Sequence, residues 1–490
     1  MPRLLIRSAK DPLLALTPEA TLAGNVIGSN SGNLLFGFAV HQMLATPDTE
    51  IVSNSFLTER PGVTKDYVDR INSEFDAFVI PMANAFRPSF VPWLDHLSEV
   101  IEQLRIPVVV VGVGAQLPTK ATELQDTIKE PVARFVRAVL DRSATIGVRG
   151  EITAQALADL GFGSEHVDVI GCPSLFLPGR DHQVVRAVPE LTPESPIAVN
   201  LTLTRPMMAA IIDRNLPTYQ NMTYIPQETR ELALMLWGVD PGLGDERFPA
   251  HLSHPLYQRD RVRFFVDPLT WVDFLRTQHF SFGSRIHGNI AALIAGTPAS
   301  VLRFDSRTKE LANYHAIPSI HLDDAALKTP AELYAEADLD AYNERHPRLF
   351  DHYAAFLERN GLAHVAQPGQ ANPGFAEQLA AVNFPPGVGP TLAEPDPTNE
   401  RVLERPRWLR QGDKADARRE AGAQTHPFPL QGKPSAHHQL SKRVSQLERE
   451  LGRLRKQVDA IPATPPAVSP GRAVVKAARR RVGRLGRSKD

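Results

Sequence analysis

Arg285 and His287 stand in "FSFGSRIHGNIAALIAGTP" (280–298), where an apolar strand pattern is followed by an apolar helix pattern. Both side chains are costly to desolvate, so either the protein or a bound molecule must supply partners. The arginine fork suits a carboxylate or a phosphate, and the histidine can exchange a proton near neutral pH. Ser284 and Gly288 flank the pair and allow close approach. The segment predicts a site that binds an anion and moves a proton; a core histidine bonded to a backbone carbonyl is the alternative.

Two glycine-rich loops earlier in the chain could bring backbone N–H groups against a ligand. "GNVIGSNSGNLLFGFAVHQML" (24–44) runs from a loop into an apolar helix pattern, and "IPVVVVGVGAQ" (106–116) is a buried strand pattern followed by glycines. Glycine permits close approach of a backbone or a ligand, and a helix N-terminus attracts anions. A structural turn in the first loop and tight packing in the second are equally open interpretations. The candidate binding residues are Gly32, Asn33, Gly112, Gly114 and Gln116.

A second candidate cation, Arg149, follows the strand pattern "ATIGVR" (144–149) directly. The carboxyl ends of strands are where open α/β sheets present groups to ligands. This position favours a role in substrate binding. Glu151, two residues later, could instead pair with Arg149 and make it structural.

Other residues indicate less chemistry. Cys172 follows a strand pattern, but no nearby base recommends it as a nucleophile, so a small buried packing residue is favoured. His251 and His254 have a loose metal-ligand spacing without a carboxylate or third ligand at a telling distance. We therefore expect no metal site.

The elements that must position these residues follow an α/β pattern. Helix patterns at 130–142, 151–161 and 268–278 alternate with apolar runs that are β-branched rather than alternating, as in strands covered on both faces. Asp267 and Pro268 form a plausible N-cap and first residue of the third helix. Parallel sheets are therefore predicted. The strand patterns lie at 76–81, 106–114, 144–149, 167–171, 197–202, 263–267, 280–283 and 299–304.

A proline-containing stretch at 177–196 separates two sets of these units. We predict two Rossmann-like domains, at 20–190 and 191–365, the second holding the Arg285 site. Ligands in such sheets bind outside the carboxyl ends of the strands, so the cleft between the domains is the expected site.

The remainder of the chain differs in composition. Residues 366–440 are rich in Pro and Gly and predict a linker or a disordered segment. Residues 441–462 carry an a/d seam that would form a marginal coiled coil, so a homo-oligomer and a single solvated helix both remain open. Residues 463–490 are basic, and 471–490 hold eight Lys and Arg against one Asp. Attraction to an anionic membrane surface and a solubilising end are the two interpretations. The seam residues are Val444, Leu447, Leu451, Leu454, Val458 and Ile461.

The overall composition is that of an ordinary globular protein. The 490 residues are 42% hydrophobic with a formal net charge of −1, so there is no global attraction to nucleic acid. One cysteine excludes an intramolecular disulfide. Because no run of eighteen or more apolar residues occurs and the N-terminal stretch is interrupted by charges, we expect a cytoplasmic protein, with the basic tail a candidate contact to the inner face of the membrane.

Taken in order, these segments resemble the polysaccharide pyruvyl transferase family over roughly residues 20–320. The "RIHG" segment carries the resemblance most strongly. The matching pieces are "GNLLFGFAV", "FDAFVIPMANAF", "IPVVVVGVGAQ", "IGVRGEITAQALADLGF", "VIGCPSLF" and "FGSRIHGNIAALIAGTPASVL".

The resemblance implies two Rossmann-type domains in a glycosyltransferase-B-like arrangement. It also implies that the pyruvyl unit of phosphoenolpyruvate is transferred to two hydroxyls of one sugar, which forms a cyclic ketal. The sugar would belong to a polysaccharide, such as an exopolysaccharide, or to its precursor. No further cofactor is implied. His287 would be the general acid, and Arg285 and Arg149 would bind the donor. The chain departs from the family at Gly147 and Gly150, where Ser and Asp are common, and at Cys172, where many relatives carry an acid.

Two other functions remain open from the sequence. A transferase acting on a nucleotide sugar would use the same architecture, with the basic pair holding a diphosphate. A catalytically degenerate relative would instead bind a polysaccharide or support its assembly. Turnover of phosphoenolpyruvate separates both from the pyruvyl transferase.

Overall fold

The computed structural model describes residues 1–117, 123–243, 245 and 247–390. All of them belong to one compact unit. The predicted short coiled coil (441–462) and basic tail (463–490), together with most of the predicted linker (366–440), lie outside the described residues.

The first half of the chain builds a parallel sheet. Its strands are β1 (Arg3–Ile6), β2 (Glu50–Ser53), β3 (Ala77–Pro81), β4 (Val108–Val111), β5 (Ile146–Val148) and β6 (Val167–Val169). The first four lie in the order β2-β1-β3-β4, and β5 pairs with β6. A parallel bridge between Val113 and Val148 attaches β5 beside β4. The strand order reverses between β1 and β3, the kind of place where open α/β sheets bind ligands.

The second half builds another parallel sheet. Its strands are β7 (Ile197–Asn200), β8 (Met222–Tyr224), β9 (Phe280–Gly283), β10 (Ala299–Arg303) and β11 (Ser319–His321). They lie in the order β11-β10-β9-β7-β8, and Asn200 at the end of β7 is in register with Gly283 at the end of β9. The order reverses between β7 and β9. Two parallel sheets, one on either side of the 177–196 stretch, confirm the α/β fold class with Rossmann-like halves.

Most strands fall where the sequence predicts them, with one error. The strand predicted at 263–267 is wrong, because Val262 and Phe264 make only isolated bridges, to Tyr224 and Val388. Four strands were not predicted from the sequence: β1, β2, β8 and β11. Each of them has three or four residues.

Helices cover both faces of the sheets. The described residues also form three short 3₁₀ segments, at Leu57–Glu59, Pro88–Phe90 and Pro173–Phe176. The α-helices are α1 (Pro18–Gly24), α2 (Gly32–Leu44), α3 (Lys65–Glu74), α4 (Val91–Ile101), α5 (Asp126–Leu140), α6 (Glu151–Ala158), α7 (Pro206–Asn215), α8 (Thr229–Trp237), α9 (Pro255–Gln258), α10 (Pro268–Arg276), α11 (Ile286–Ile294), α12 (Ser306–His315), α13 (Leu322–Ala325), α14 (Pro330–Glu336), α15 (Leu339–Arg359) and α16 (Pro373–Ala381).

The three predicted helices are confirmed as α5, α6 and α10. At the start of α10, the Asp267 side chain accepts a hydrogen bond from the Leu269 amide at 2.9 Å, and Pro268 is the first helical residue. This is the predicted N-cap, which satisfies one of the amides that every helix N-terminus leaves without an intrahelical partner.

Packing couples the two halves. All four residues of β4 are buried, which its run of valines requires. Phe350, Tyr353 and Phe356 of α15 pack in the same apolar cluster as Val109 of the first sheet. A helix that follows the second sheet in sequence thus covers the first sheet.

No helix in the described ranges has the length and apolar character needed to cross a membrane.

Candidate functional site

A cavity of about 690 Å³ lies between the carboxyl ends of the two sheets. Its walls are formed by the loops that follow the strands, so both places of strand-order reversal open into it. Residues that follow every strand except β11 take part, and Phe56 is the one that follows β2 most closely. They include Arg7 after β1, Asn84 after β3, Gly112 after β4, Arg149 after β5, Cys172 after β6, Thr202 after β7, Glu228 after β8, Arg285 after β9 and Arg307 after β10.

Arg285 lies at the N-cap position of α11 and lines the cavity. Its Nη2 donates to Glu228, which also forms an ion pair with Arg230, whose Nε lies 2.7 Å from Oε2 of Glu228. Burial alone would lower the pKa of Arg285, but the negative charges of Glu231 and Glu228 raise it above its usual value. Arg285 is therefore cationic at neutral pH, with its charge partly balanced.

Two donors at this wall lack partners within the described residues. Arg285 Nε and Gln227 Nε2 are buried and donate to no protein acceptor there. Both residues line the cavity. An unpaired buried donor is destabilising, so these atoms suit an acceptor oxygen of a bound molecule.

His287 occupies the first turn of α11 and is only partly buried, with its ring at the cavity. Its Nε2 lies 4.0 Å from Cys172 Sγ, and its ring packs edge-on against Phe36. Burial lowers the pKa of His287 to about 4, and the positive charges of Arg149 and Arg307 act in the same direction. The ring is therefore neutral at neutral pH.

Cys172 has a neighbour that the sequence did not reveal, since His287 lies 115 positions away. The thiol is buried, and burial raises the pKa of Cys172 to about 11. Its backbone amide donates to His315 Nε2 at 2.8 Å. A protonated, buried thiol agrees with the packing interpretation rather than with a thiolate nucleophile.

Arg149 lines the cavity, but protein oxygens accept from all three of its nitrogens. Nε donates to Glu310 of α12, Nη1 to Ala83 O at 2.8 Å and Nη2 to Ala115 O at 2.6 Å. The alternative in which Arg149 pairs with a carboxylate is corrected in its partner, because Glu310 takes the place suggested for Glu151. Arg149 contributes charge to the cavity while its hydrogen bonds connect the two halves.

Two glycines make this connection possible. A Cβ on Gly114 would collide with the Arg149 side chain, and a Cβ on Gly150 would lie 2.9 Å from a Glu310 carboxylate oxygen. Glu310 also accepts from the amide and the hydroxyl of Thr153, both at 3.1 Å. The carboxylate from the second half therefore occupies the space that a side chain at position 150 would need.

The other predicted binding residues divide into two groups. Asn33, Gly112, Gln116 and Ser284 line the cavity, whereas Gly32, Gly114 and Gly288 lie behind its wall. A Cβ on Gly32 would lie 2.7 Å from His287 Nδ1, and one on Gly288 would lie 2.5 Å from Asn200 Cγ. Each of these three glycines is therefore packed against the side chain of another residue.

The lining residues of the first group are held by neighbours. Asn33 Nδ2 donates to Ile27 O at 3.0 Å, which shapes the loop. Gln116 Oε1 accepts from Asn84 Nδ2 at 3.0 Å, and Ser284 Oγ accepts from the Thr202 amide at 2.8 Å.

Several lining residues were missed from the sequence. Arg7 directly follows β1, so recognising that strand would have found it, whereas Arg87 immediately precedes the 3₁₀ segment Pro88–Phe90 and has no local signal. Across the described part of the chain, no three His, Cys, Asp or Glu side chains are grouped so that they could hold a metal ion. The missed charged residues of the cavity are Arg7, Glu59, Arg87, Glu228, Arg230 and Arg307.

Comparison with solved structures finds remote similarity. S. aureus MnaA in a co-structure with UDP has a TM-score of 0.38 and 13% identity, over 73% of this chain and 98% of that one. UDP-GlcNAc 2-epimerase from Neisseria meningitidis has a TM-score of 0.38 and 11% identity, over 74% of this chain and 100% of that one. Anabaena HepE in complex with UDP and glucose has a TM-score of 0.35 and 12% identity, over 73% of this chain and 98% of that one.

Comparison with family models is more informative, although no curated protein matches the sequence. The model described as polysaccharide pyruvyl transferase matches residues 30–306. That range is more than half of the chain and includes the start of α2, the Arg149 strand end and the Arg285–His287 turn. The chain belongs to the polysaccharide pyruvyl transferase family, a family of transferases.

Proposed function

We propose that this protein transfers the pyruvyl group of phosphoenolpyruvate to two hydroxyls of one sugar in a polysaccharide or its precursor, forming a cyclic ketal. The observation that carries the proposal is the cavity wall at the start of α11. There, a cationic arginine with an unpartnered Nε stands beside a neutral histidine that faces the cavity. Donor binding needs the first residue, and proton transfer to carbon needs the second.

The reaction divides into two additions. His287 gives a proton to the methylene carbon, which builds positive charge on the central carbon, and the first sugar hydroxyl adds there and loses its proton. The bond from that carbon to the phosphate oxygen then breaks. The second hydroxyl adds and loses its proton. Of the two hydroxyl protons, one restores His287 and the other leaves with the phosphate, so the protons balance.

The pKa of His287 is too low for this role unless binding of the donor raises it. A bound carboxylate and phosphate bring negative charge against the positive field of Arg149 and Arg307. An opposite charge nearby favours the protonated imidazole. The donor itself would therefore charge the acid that acts on it.

The test is turnover of phosphoenolpyruvate with a panel of sugar acceptors, read as acceptor-dependent phosphate release and as the methyl signal of the ketal by NMR. His287→Ala should abolish the ketal with an unchanged circular dichroism spectrum. His96→Ala, which changes a partly exposed histidine on α4, should retain it. Turnover at the wild-type rate in His287→Ala would refute the assigned acid.

The same panel separates the other functions left open by the sequence. Consumption of a nucleotide sugar without consumption of phosphoenolpyruvate would show a glycosyltransferase. Binding of a polysaccharide without turnover of either donor would show a binding or assembly module.

A further inference from the structure

The arginines of the cavity differ in how their charge is balanced. Three of them each pair with one carboxylate, whereas Arg87 forms an ion pair with none of the described residues. Its guanidinium donates to the backbone oxygen of Asn84 and to Ser89 Oγ at 3.1 Å, and it lies over the Phe90 ring. The three pairs are Arg7–Glu59, Arg149–Glu310 and Arg307–Asp305.

Arg87 lies where the cavity meets a second opening. It lines both the 690 Å³ cavity and an adjoining side groove of about 560 Å³. Gln116, Thr202 and Arg307 are also shared by the two. A group bound at Arg87 is therefore within the space that a cavity ligand occupies.

The local potential at Arg87 is positive. Burial and, to a smaller extent, the charges of Arg307, Arg149 and Arg7 together lower the pKa of Arg87 to about 10. The residue stays protonated at neutral pH. Arg307, Arg149 and Arg7 each have a carboxylate partner, yet their charges still disfavour the protonated form of Arg87. An anion bound beside Arg87 would offset this repulsion.

We propose that Arg87 binds the phosphate group of the donor, with Arg307 beside it. This inference rests on the proposed function for the identity of the donor. A phosphate rather than a carboxylate is assigned here because a dianion gains more from several surrounding cations than a monoanion does. The planar fork of arginine also suits two phosphate oxygens. The carboxylate of the donor is left for Arg285, whose Nε is unpartnered among the described residues.

The experiment is calorimetric titration of the full-length protein with phosphoenolpyruvate and with inorganic phosphate. Arg87→Gln should weaken both affinities on the order of 10- to 100-fold, the loss expected for hydrogen bonds to a charged group. Arg87→Lys, which keeps the charge without the fork, should lose less.

Arg205→Gln is the matched control. Arg205 lines the side groove only, lies over the Phe304 ring and likewise has no ion-pair partner among the described residues. Its removal lowers the positive charge of the region equally, so a similar loss of phosphate affinity in both variants would overturn the specific role of Arg87. Melting temperatures check that each variant is folded.

The outcomes also separate this inference from the proposed function. If the wild-type protein binds phosphate through Arg87 but forms no ketal, the proposed function fails while the phosphate site stands. If Arg87→Gln binds phosphoenolpyruvate as tightly as the wild type, or if the wild type binds neither probe, the site is refuted.

Discussion

At the scale of single residues, His287 combines access to the cavity with an environment that disfavours its charge. Phe36 and Cys172 contact the ring, and the arginines nearby are positive. Because the pKa of His287 is about 4, its proposed role as the acid requires that a bound anion raise this pKa. This coupling can be measured without any assay of turnover.

We predict that phosphoenolpyruvate binding takes up a proton at His287. His287 has a low pKa in the free protein and a higher pKa in the complex, so between these two values the complex holds more protons. Affinity should therefore rise as the pH falls through that window. Calorimetry in buffers of different ionisation enthalpy, between pH 5.5 and 7.5, measures the uptake.

The donor phosphate titrates in the same range, so His287→Gln is the reference that isolates the histidine. The uptake should be smaller in His287→Gln than in the wild type and unchanged in His96→Gln. Identical uptake in the wild type and His287→Gln would show that the ring stays neutral in the complex.

At the scale of elements, the start of α2 is placed against the start of α11. Gly32 is the first residue of α2, and its missing side chain is the space in which His287 Nδ1 lies. The glycine-rich loop thus positions a ring on another helix. The local sequence showed the glycine, but not what it packs against.

We predict that Gly32→Ala reduces turnover at least tenfold, because the new Cβ would lie 2.7 Å from His287 Nδ1 and force the ring to move. The reaction geometry is sensitive to displacements of this size. Gly374→Ala on α16 is the matched control, since its Cβ would meet nothing closer than 3.5 Å. Unchanged turnover in Gly32→Ala would mean that the ring position is not critical.

The start of α10 also joins the two halves. Asp267 caps the helix, and its other carboxylate oxygen pairs with Lys10 Nζ at 3.0 Å, both side chains being almost fully buried. Lys10 additionally donates to Leu14 O at 2.6 Å. The cap was readable from the Asp-Pro sequence, whereas its partner 257 positions away was not.

We predict that Asp267→Ala lowers the free energy of unfolding by about 3–5 kcal/mol, because it leaves Lys10 as a buried charge without its carboxylate. Thr329→Ala, which removes the exposed cap of α14, should cost only about 1 kcal/mol. Urea denaturation compares the two variants. Equal losses would show that the Lys10 pair adds nothing to the cap.

At the scale of the whole molecule, several histidines are buried in their neutral form. Burial lowers the pKa of His41 and of His315 to about 3 each, and that of His287 to about 4. Unfolding returns each to about 6.5, so the unfolded chain binds more protons below that pH. Stability from these groups is therefore present above pH 6.5 and lost as the pH falls toward 4.

We predict that the melting temperature falls steadily between pH 6.5 and 4.5, with each buried histidine contributing up to about 1.4 kcal/mol per pH unit. His41→Gln should make the slope shallower, because His41 is 5% exposed and stacked on Phe375. Thermal denaturation over this pH range tests it. A slope that does not change in His41→Gln would assign the acid sensitivity to other groups.

The sequence by itself determined the parts whose information is local. The β-branched run of β4, the Asp267–Pro268 start of α10 and the turn that carries Arg285 and His287 each depend on residues within one strand, loop or helix. Since parallel sheets present the ends of their strands at one edge, these patterns also placed the Arg285–His287 turn at a cleft.

Only the tertiary structure decided which charges are balanced. Glu310 lies 161 positions from Arg149, and Glu228 lies 57 positions from Arg285, so neither pair leaves a pattern along the chain. The unpaired state of Arg87 among the described residues is likewise a property of everything packed around it. The physical reason is that hydrogen-bonding pattern and apolar periodicity act between neighbours in sequence, whereas desolvation and Coulomb interaction act between neighbours in space.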